Sequence, residues 1–299
     1  MTIEKITREF LEDLELERGR SPKTIENYSH YLRRFFLHAK VSNPKQISDD
    51  IVRSYRLALN RTGLSARTRN YHLIALRMFL KYLAKRDIVS LAPERVELAK
   101  LGDRDIDIPH EGDLDRLLGA PKTDALQGLR DRAILELLFS TGLRVSELCA
   151  LNRDSLDLGR DEFSVRGKGS KIRIVFLSKD AKDAIRAYLA KRGDISEALF
   201  VGTQNLPAGR QGKMPSRLTS RQIERLVKRY AVAAGIPGKV TPHTLRHLFA
   251  TDLLLNGADI RSVQAMLGHS SITTTQIYTH MTDRQLREVH KNFHGKRRK

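Results

Sequence analysis

Apolar residues recur at helical spacing through most of this chain and change to strict alternation in two short neighbouring runs, so the expected fold is mainly α with a small β-sheet. Tyr28, Tyr31, Leu32, Phe35 and Phe36 stand at i, i+3, i+4, i+7 and i+8, behind a Ser21-Pro22 pair that supplies a cap and a first-turn proline. A second amphipathic helix is predicted around Tyr71, Ile74, Ala75, Met78, Phe79 and Tyr82. It also carries Arg77, Lys81 and Lys85 at i, i+4 and i+8. The aromatics read as core. The basic stripe has two readings, an ordinary solvated face or a row of phosphate contacts.

Between Asp87 and Pro109 the periodicity breaks into an irregular, charged stretch containing Pro93 and Gly102, where a linker between two domains is expected. Beyond it, Ala133, Ile134, Leu137 and Leu138 mark a buried helix that ends near Thr141-Gly142. The alternating runs at 161–166 and 171–176 predict two strands, with Gly167, Lys168, Gly169 and Ser170 as the turn between them. Helical patterns return over 179–192, over 220–234 and after Pro242, and there are no internal repeats or heptads. The stretch 203–217 is rich in Gly and Pro and is expected to be a surface insertion; contact of Arg210 and Lys213 with a DNA backbone is the other reading.

A chain of 299 residues is long enough for two domains, each with its own core. Its 54 Lys and Arg against 35 Asp and Glu give a formal net charge of +19, which fits either a polyanionic partner or a solvated basic surface. The single cysteine, Cys149, excludes an intrachain disulfide and any zinc site built from several thiolates. It follows Arg144 in an apolar run and reads as a buried structural residue. No stretch approaches the roughly 20 apolar residues of a membrane span, and the N-terminus lacks the apolar region of a signal peptide, so a cytoplasmic location is expected.

The candidate chemistry lies in separated segments. Arg144 falls in Thr-Gly-Leu-Arg-Val-Ser-Glu-Leu (141–148), Lys168 in Gly-Lys-Gly-Ser-Lys (167–171), and His243 and Arg246 in His-Thr-Leu-Arg-His (243–247). His269 follows in Leu-Gly-His-Ser (267–270), and Tyr278 comes nine residues later in Thr-Gln-Ile-Tyr-Thr-His (275–280). Anionic oxygens shield a phosphodiester from attack, and arginine neutralises them well because its planar guanidinium is always charged and donates parallel hydrogen bonds. Arg144 stands where the Thr141-Gly142 turn opens a helix, so backbone N–H groups there are expected to face an anion too, and Glu147 is a candidate partner holding it. His243 and Arg246, three apart after Thr241-Pro242, are expected on one helix face. Lys168 sits between glycines that let a backbone tip approach DNA closely, with Lys171 as its rival. A phenol with an ordinary pKa of about 10 needs neighbouring cations or a base to react at neutral pH. Taken singly, each of these residues is commonplace as a salt-bridge arginine, a capping or loop histidine, or a structural tyrosine. There is no Gly-x-x-x-x-Gly-Lys-Ser/Thr loop and no carboxylate cluster of the kind that holds catalytic metals.

In this order and spacing the segments resemble the active site of the tyrosine recombinases, and more closely the Xer branch, over nearly the whole chain. The resemblance implies an N-terminal helical core-binding (SAM-like) domain over 1–86, a linker over 87–104, a C-terminal α+β catalytic domain over 105–293 and a basic tail over 294–299. It implies Tyr278 as the nucleophile that forms a 3′-phosphotyrosine, Lys168 as the acid for the leaving 5′-oxygen, Arg144 and Arg246 as phosphate clamps, His243 as a proton carrier and His269 as a hydrogen-bond donor. His247 and His280 match motif positions as supporting residues. The implied partner is double-stranded DNA bearing a specific site, gripped by a homo- or hetero-tetramer with a related recombinase. A DNA-translocating division protein is a further implied partner, and no membrane or cofactor is implied, since the phosphotyrosine bond conserves the energy of the broken linkage. The implied task is resolution of chromosome dimers through a Holliday junction. A mobile-element integrase, a DNA-binding factor with relic catalytic residues and a metal-dependent nuclease are the alternatives. Leu286, Val289 and Phe293 line one predicted helical face that docks either on a neighbouring protomer or on its own domain.

Overall fold

The first four helices each begin behind a hydroxyl side chain. They are α1 (Ile3–Leu16), α2 (Pro22–Ala39), α3 (Asp49–Asn60) and α4 (Ala66–Lys85), and Thr2, Ser21, Ser48 and Ser65 cap them. Ser21 Oγ accepts from the Thr24 amide at 3.4 Å and Ser65 Oγ from the Thr68 amide at 3.2 Å, which satisfies a donor that has no partner within the helix. Pro22 occupies the first turn of α2, as the sequence predicts. The computed structural model describes residues 2–101, 111–167, 171–202 and 215–268. The chain divides into two compact units, Met1–Asp105 and Ile106–Lys299.

The core of the first unit is aromatic. Phe10, Phe35, Tyr55, Phe79 and Tyr82 are buried, and their rings meet edge to face, Phe10 with Phe79 at 5.5 Å and Phe35 with Tyr55 at 5.1 Å between centroids. Each such side chain contributes roughly 1.5–3 kcal/mol by leaving water. Helix α4 is buried over a wider arc than the sequence suggests, because it packs against α1, α2 and α3 at once: Leu73, Leu76, Leu80 and Leu83 join Ala75, Phe79 and Tyr82. Tyr71 is not part of that arc. It is 48% exposed, in line with the exposed Lys85 further along the helix, so its expected place in the core is corrected.

Much of the stretch read as a linker is fastened to this unit. Val96 is fully buried, Ile88, Leu91 and Leu98 pack on the same core, and Asn70 pairs with the backbone of Ala99 in both directions, at 2.9 and 3.0 Å. The Pro93 carbonyl also accepts Arg77 Nε at 3.2 Å.

The second unit is built around α6 (Leu126–Thr141), which packs against α5 (Glu111–Gly119), α8 (Lys179–Lys191) and α10 (Pro242–Leu255). Ala133, Ile134, Leu135, Leu137 and Leu138 are all fully buried, so this helix is enclosed on nearly every side. Its one fully buried charge, Asp131, is satisfied by Arg130 Nε at 2.8 Å, Arg229 Nη2 at 2.6 Å and the Tyr230 hydroxyl at 2.9 Å. Three further helices are α7 (Val145–Ala150), α9 (Ser220–Ala233) and α11 (Ile260–Leu267).

Strands β1 (Glu162–Arg166) and β2 (Ile172–Phe176) form the expected antiparallel pair, in register from Glu162 opposite Phe176 to Arg166 opposite Ile172. The Gly167 amide donates to the Lys171 carbonyl at 2.8 Å and closes the ladder. Phe163, Val165 and Val175 face the core, while Ile172, Ile174 and Phe176 lie exposed on the other face. The expected insertion at 203–217 lies mostly outside the described residues. The chain on its two sides is joined by an antiparallel bridge between Val201 and Arg217 and by the Gly202 amide on the Ser216 carbonyl, 2.9 Å. Among the described residues no helix is long and apolar enough to cross a membrane.

Two predictions come from these packing facts. Helix α6 ends on Gly142, whose φ of 57° lies in the left-handed region and whose missing Cβ would stand 2.5 Å from the Phe249 ring. Gly142→Ala should therefore destabilise the protein by more than about 1 kcal/mol, read as a lower urea midpoint. In the first unit, burial and then the charge of Arg34 press His72 down to about 4, and its Nδ1 pairs with the Tyr55 hydroxyl at 3.0 Å. The unfolded chain takes up this proton near pH 6.5 and the folded chain only near 4, so stability should decline as pH falls through that window and take no further loss from His72 below it. A titration of the histidine ring resonances should show one that stays neutral at pH 5.

Candidate active site

Arg144 is the first candidate whose position the fold explains. After Gly142 reverses the chain, Arg144 becomes the N-cap of the short helix α7, and Glu147 on the first turn curls back to it. Glu147 Oε2 accepts the Arg144 amide and Oε1 accepts Arg144 Nη1, both at 2.8 Å. The partnership of these two residues is as expected. The backbone N–H is not open to an anion, however, because the carboxylate of Glu147 already takes it; this corrects the expectation for that group.

The same carboxylate holds a second arginine, one that reading the sequence missed. Arg173 on β2 reaches Glu147 through two parallel bonds, Nη1 to Oε1 at 2.8 Å and Nη2 to Oε2 at 2.7 Å. Glu147 is thus buried beneath two guanidinium groups. Burial alone would raise its pKa, but hydrogen bonds from Arg173 and from the amide and side chain of Arg144 outweigh it and hold the carboxyl at about 2. The signal for Arg173 was present in the sequence. In the alternating run of β2 it shares the inward face with Val175, and a charge at an inward position requires an opposite charge.

Three arginines from different elements then converge on one helix end. The last carbonyls of α11 have no partner within the helix and carry its negative pole. Arg173 Nε donates to Met266 O at 3.0 Å, Arg246 Nη2 to Leu267 O at 2.6 Å and Arg144 Nη2 to Gly268 O at 3.2 Å. Arg246 also donates through Nη1 to Gly142 O at 2.5 Å, so it ties the end of α6 to the end of α11. Arg246 is 3% exposed, whereas the Arg173 and Arg144 side chains are 10% and 28% exposed. Of the three, Arg144 is the one that opens most to solvent.

His243 lies three residues before Arg246 on α10 but is exposed, since it stands in the first turn while Arg246 is one turn deeper. The expected common face is therefore not a common environment. His243 and His247 stack at 6.2 Å between ring centroids. Lys171 is exposed at the start of β2, and Lys168, His269 and Tyr278 lie outside the described residues, as do His280, Leu286, Val289, Phe293 and the basic tail. In the first unit, Lys81 and Lys85 are exposed on α4, while Arg77 is half-buried. Cys149 is half-buried, and burial first of all raises its thiol pKa, as fits a structural thiol. Among the described residues no cluster of three or more His, Cys, Asp or Glu side chains is placed to hold a metal ion.

A profile of the phage integrase family matches residues 110–285, and a profile of the N-terminal SAM-like domain of phage integrases matches residues 7–87. The chain belongs to the phage integrase family. Tyrosine recombinase XerC of Thermodesulfovibrio yellowstonii is 39% identical over 95% of this chain and 94% of its own length. Tyrosine recombinase XerD of Oceanobacillus iheyensis is 37% identical, with 98% and 99% covered. A crystal structure of XerA recombinase aligns over 98% of this chain and 99% of that one, at 32% identity and a TM-score of 0.54. The protein is accordingly a tyrosine recombinase of the Xer type, an enzyme of site-specific DNA recombination, and the arginine cluster lies in its integrase-family region.

In this recombinase Glu147 should be structurally indispensable. Glu147→Ala leaves the nearly buried guanidinium of Arg173 and the partly exposed one of Arg144 without their anion and should cost roughly 3–5 kcal/mol, measured by urea unfolding. Because the folded pKa lies below the ordinary value of 4.5, the stabilisation is present in full above pH 4.5 and is lost as pH falls towards 2. The variant should lack that acid-dependent loss.

Proposed function

We propose that Tyr278 attacks the scissile phosphate, forming a bond from its phenolic oxygen to phosphorus and leaving a 3′-phosphotyrosine and a free 5′-hydroxyl. The observation that carries this reading is the convergence of Arg144, Arg246 and Arg173 on the carbonyls of residues 266–268, the residues directly before His269. Arg144 and Arg246 neutralise the two non-bridging oxygens as charge builds on them, which stabilises the transition state more than the ground state. Lys168 donates a proton to the departing 5′-oxygen, His243 takes the phenolic proton and His269 donates a hydrogen bond to the phosphate. Rejoining reverses the step with the 5′-hydroxyl of another strand, and the energy stays in the phosphotyrosine ester throughout.

The partner in this reading is double-stranded DNA with a specific site, which the net charge of +19 favours. Arg77, Lys81, Lys85 and Lys171 contact its backbone. Full-length similarity to XerC and XerD proteins favours resolution of chromosome dimers at division, by a cytoplasmic tetramer that works through a Holliday junction. A second recombinase in the tetramer and a DNA-translocating division protein belong to the same reading. The domain boundaries proposed from the sequence, 1–86, 87–104, 105–293 and 294–299, go with it, with the linker's residues 88–99 packed on the first unit.

Tyr278→Phe removes only the phenolic oxygen, so it should keep DNA binding and form no covalent adduct with a nicked suicide substrate on a denaturing gel. Adduct at the parental level would exclude this nucleophile. Arg144→Ala and Arg246→Ala should each slow single-turnover cleavage at saturating DNA by about 100-fold or more, since one preorganised donor at an oxyanion is worth about 2.7–4 kcal/mol. Normal cleavage with collapsed affinity would make them grip residues instead.

A further inference from the structure

Arg173 is assigned no step in the chemistry proposed above, yet it donates to the backbone at Met266 and fills the space beside Gly167 and Gly268. A Cβ built on Gly167, the residue before Lys168, would stand 3.2 Å from Arg173 Nη1 and 3.3 Å from Glu147 Oε1. One built on Gly268, the residue before His269, would stand 3.0 Å from Arg173 Cδ. The guanidinium is fixed by its two bonds to Glu147, which also holds Arg144, and by its bond to Met266 O. One nearly buried cation therefore packs directly against the approaches to positions 168 and 269 and shares its anion with Arg144.

We propose that Arg173 is a positioning residue for strand cleavage, whose guanidinium sets the relative places of Lys168, Arg144 and His269. It touches no reacting atom and acts through Glu147, Gly167 and the end of α11. A planar guanidinium is required for this, because only that group donates two parallel bonds to a carboxylate and a third sideways to a carbonyl. Lysine keeps the charge but offers no such fork. The inference rests on the reading of Lys168 and Arg144 as catalytic, and it adds a residue that this reading leaves out.

The test uses the full chain with two nicked suicide substrates, one with an ordinary phosphodiester and one with a 5′-phosphorothiolate, whose sulfur departs without needing a proton. Arg173→Lys should slow single-turnover adduct formation on the phosphodiester by about tenfold or more, at saturating DNA and with Kd within about twofold of the parent. The phosphorothiolate should restore a substantial part of that loss, as it should for Lys168→Ala, and should restore little in Arg144→Ala. Gly167→Ala presses a methyl group on the same guanidinium and should show the same partial rescue. This variant carries the test if Arg173→Lys does not fold. Rates within twofold of the parent, or equal slowing on both substrates while Lys168→Ala is rescued, would overturn the role of Arg173 and leave the catalytic reading standing. If Lys168→Ala is itself not rescued, the catalytic reading of Lys168 fails and Arg173 is judged by a double variant with Arg144→Ala. A loss smaller than the product of the two single losses then supports positioning, and a fully multiplicative loss rejects it.

Discussion

The carboxylate of Glu147 is the interaction on which the second unit's polar centre depends. An ion removed from water carries a penalty of several kcal/mol, and it is tolerated here because four donors from two arginines and one backbone amide surround it at 2.7–2.8 Å. That geometry joins α7 to β2 by ion pairs, beside the apolar core to which Leu148 and Val175 both belong. Each arginine then has a further donor to offer, and both offers go to the last turn of α11. The strand, the short helix and the terminal turn are thus held in one arrangement by a group of three charges.

The helices around this centre were legible because their signals are local. Ser21-Pro22 starts α2, Thr141-Gly142 ends α6, and the alternation of 162–166 with 172–176 gives the hairpin and its register. What escaped was long-range. Nothing at Tyr71 itself indicates that α4 turns that residue outwards, since this depends on how three other helices divide its circumference. Ile88 to Ala99 looks like a linker because its apolar residues follow no period, yet they pack as an irregular strap whose backbone is satisfied by Asn70.

The candidate site shows the same division. Residue types and spacing pointed to Arg144 and its partner Glu147, which lie one helical turn apart. Arg173 was invisible to that reasoning because its partner is 26 positions away in sequence and its contacts at Met266 are 93 away. Only the inward register of β2 betrays it. A short motif makes Arg144 and Glu147 visible together, whereas a buried charge such as Arg173 is found by asking which inward-facing cation needs an anion.

Arginine recurs in this centre for a reason beyond its charge. Arg246 donates to Gly142 O and Leu267 O, both carbonyls at helix ends, and these bonds fix the guanidinium without adding a countercharge. Glu147 contributes one negative charge against the two positive charges of Arg144 and Arg173, so the cluster stays positive overall. Both glycines beside these carbonyls, Gly142 and Gly268, adopt positive φ, 57° and 62°, which turns the chain away at the end of its helix and leaves the carbonyls open to the arginines. On the reading proposed above this centre meets a phosphodiester, and such a centre needs cations that are immobile yet not neutralised. Backbone carbonyls at glycine-terminated helix ends supply that combination, and a cluster fixed only by carboxylates would cancel the charge it was built to present.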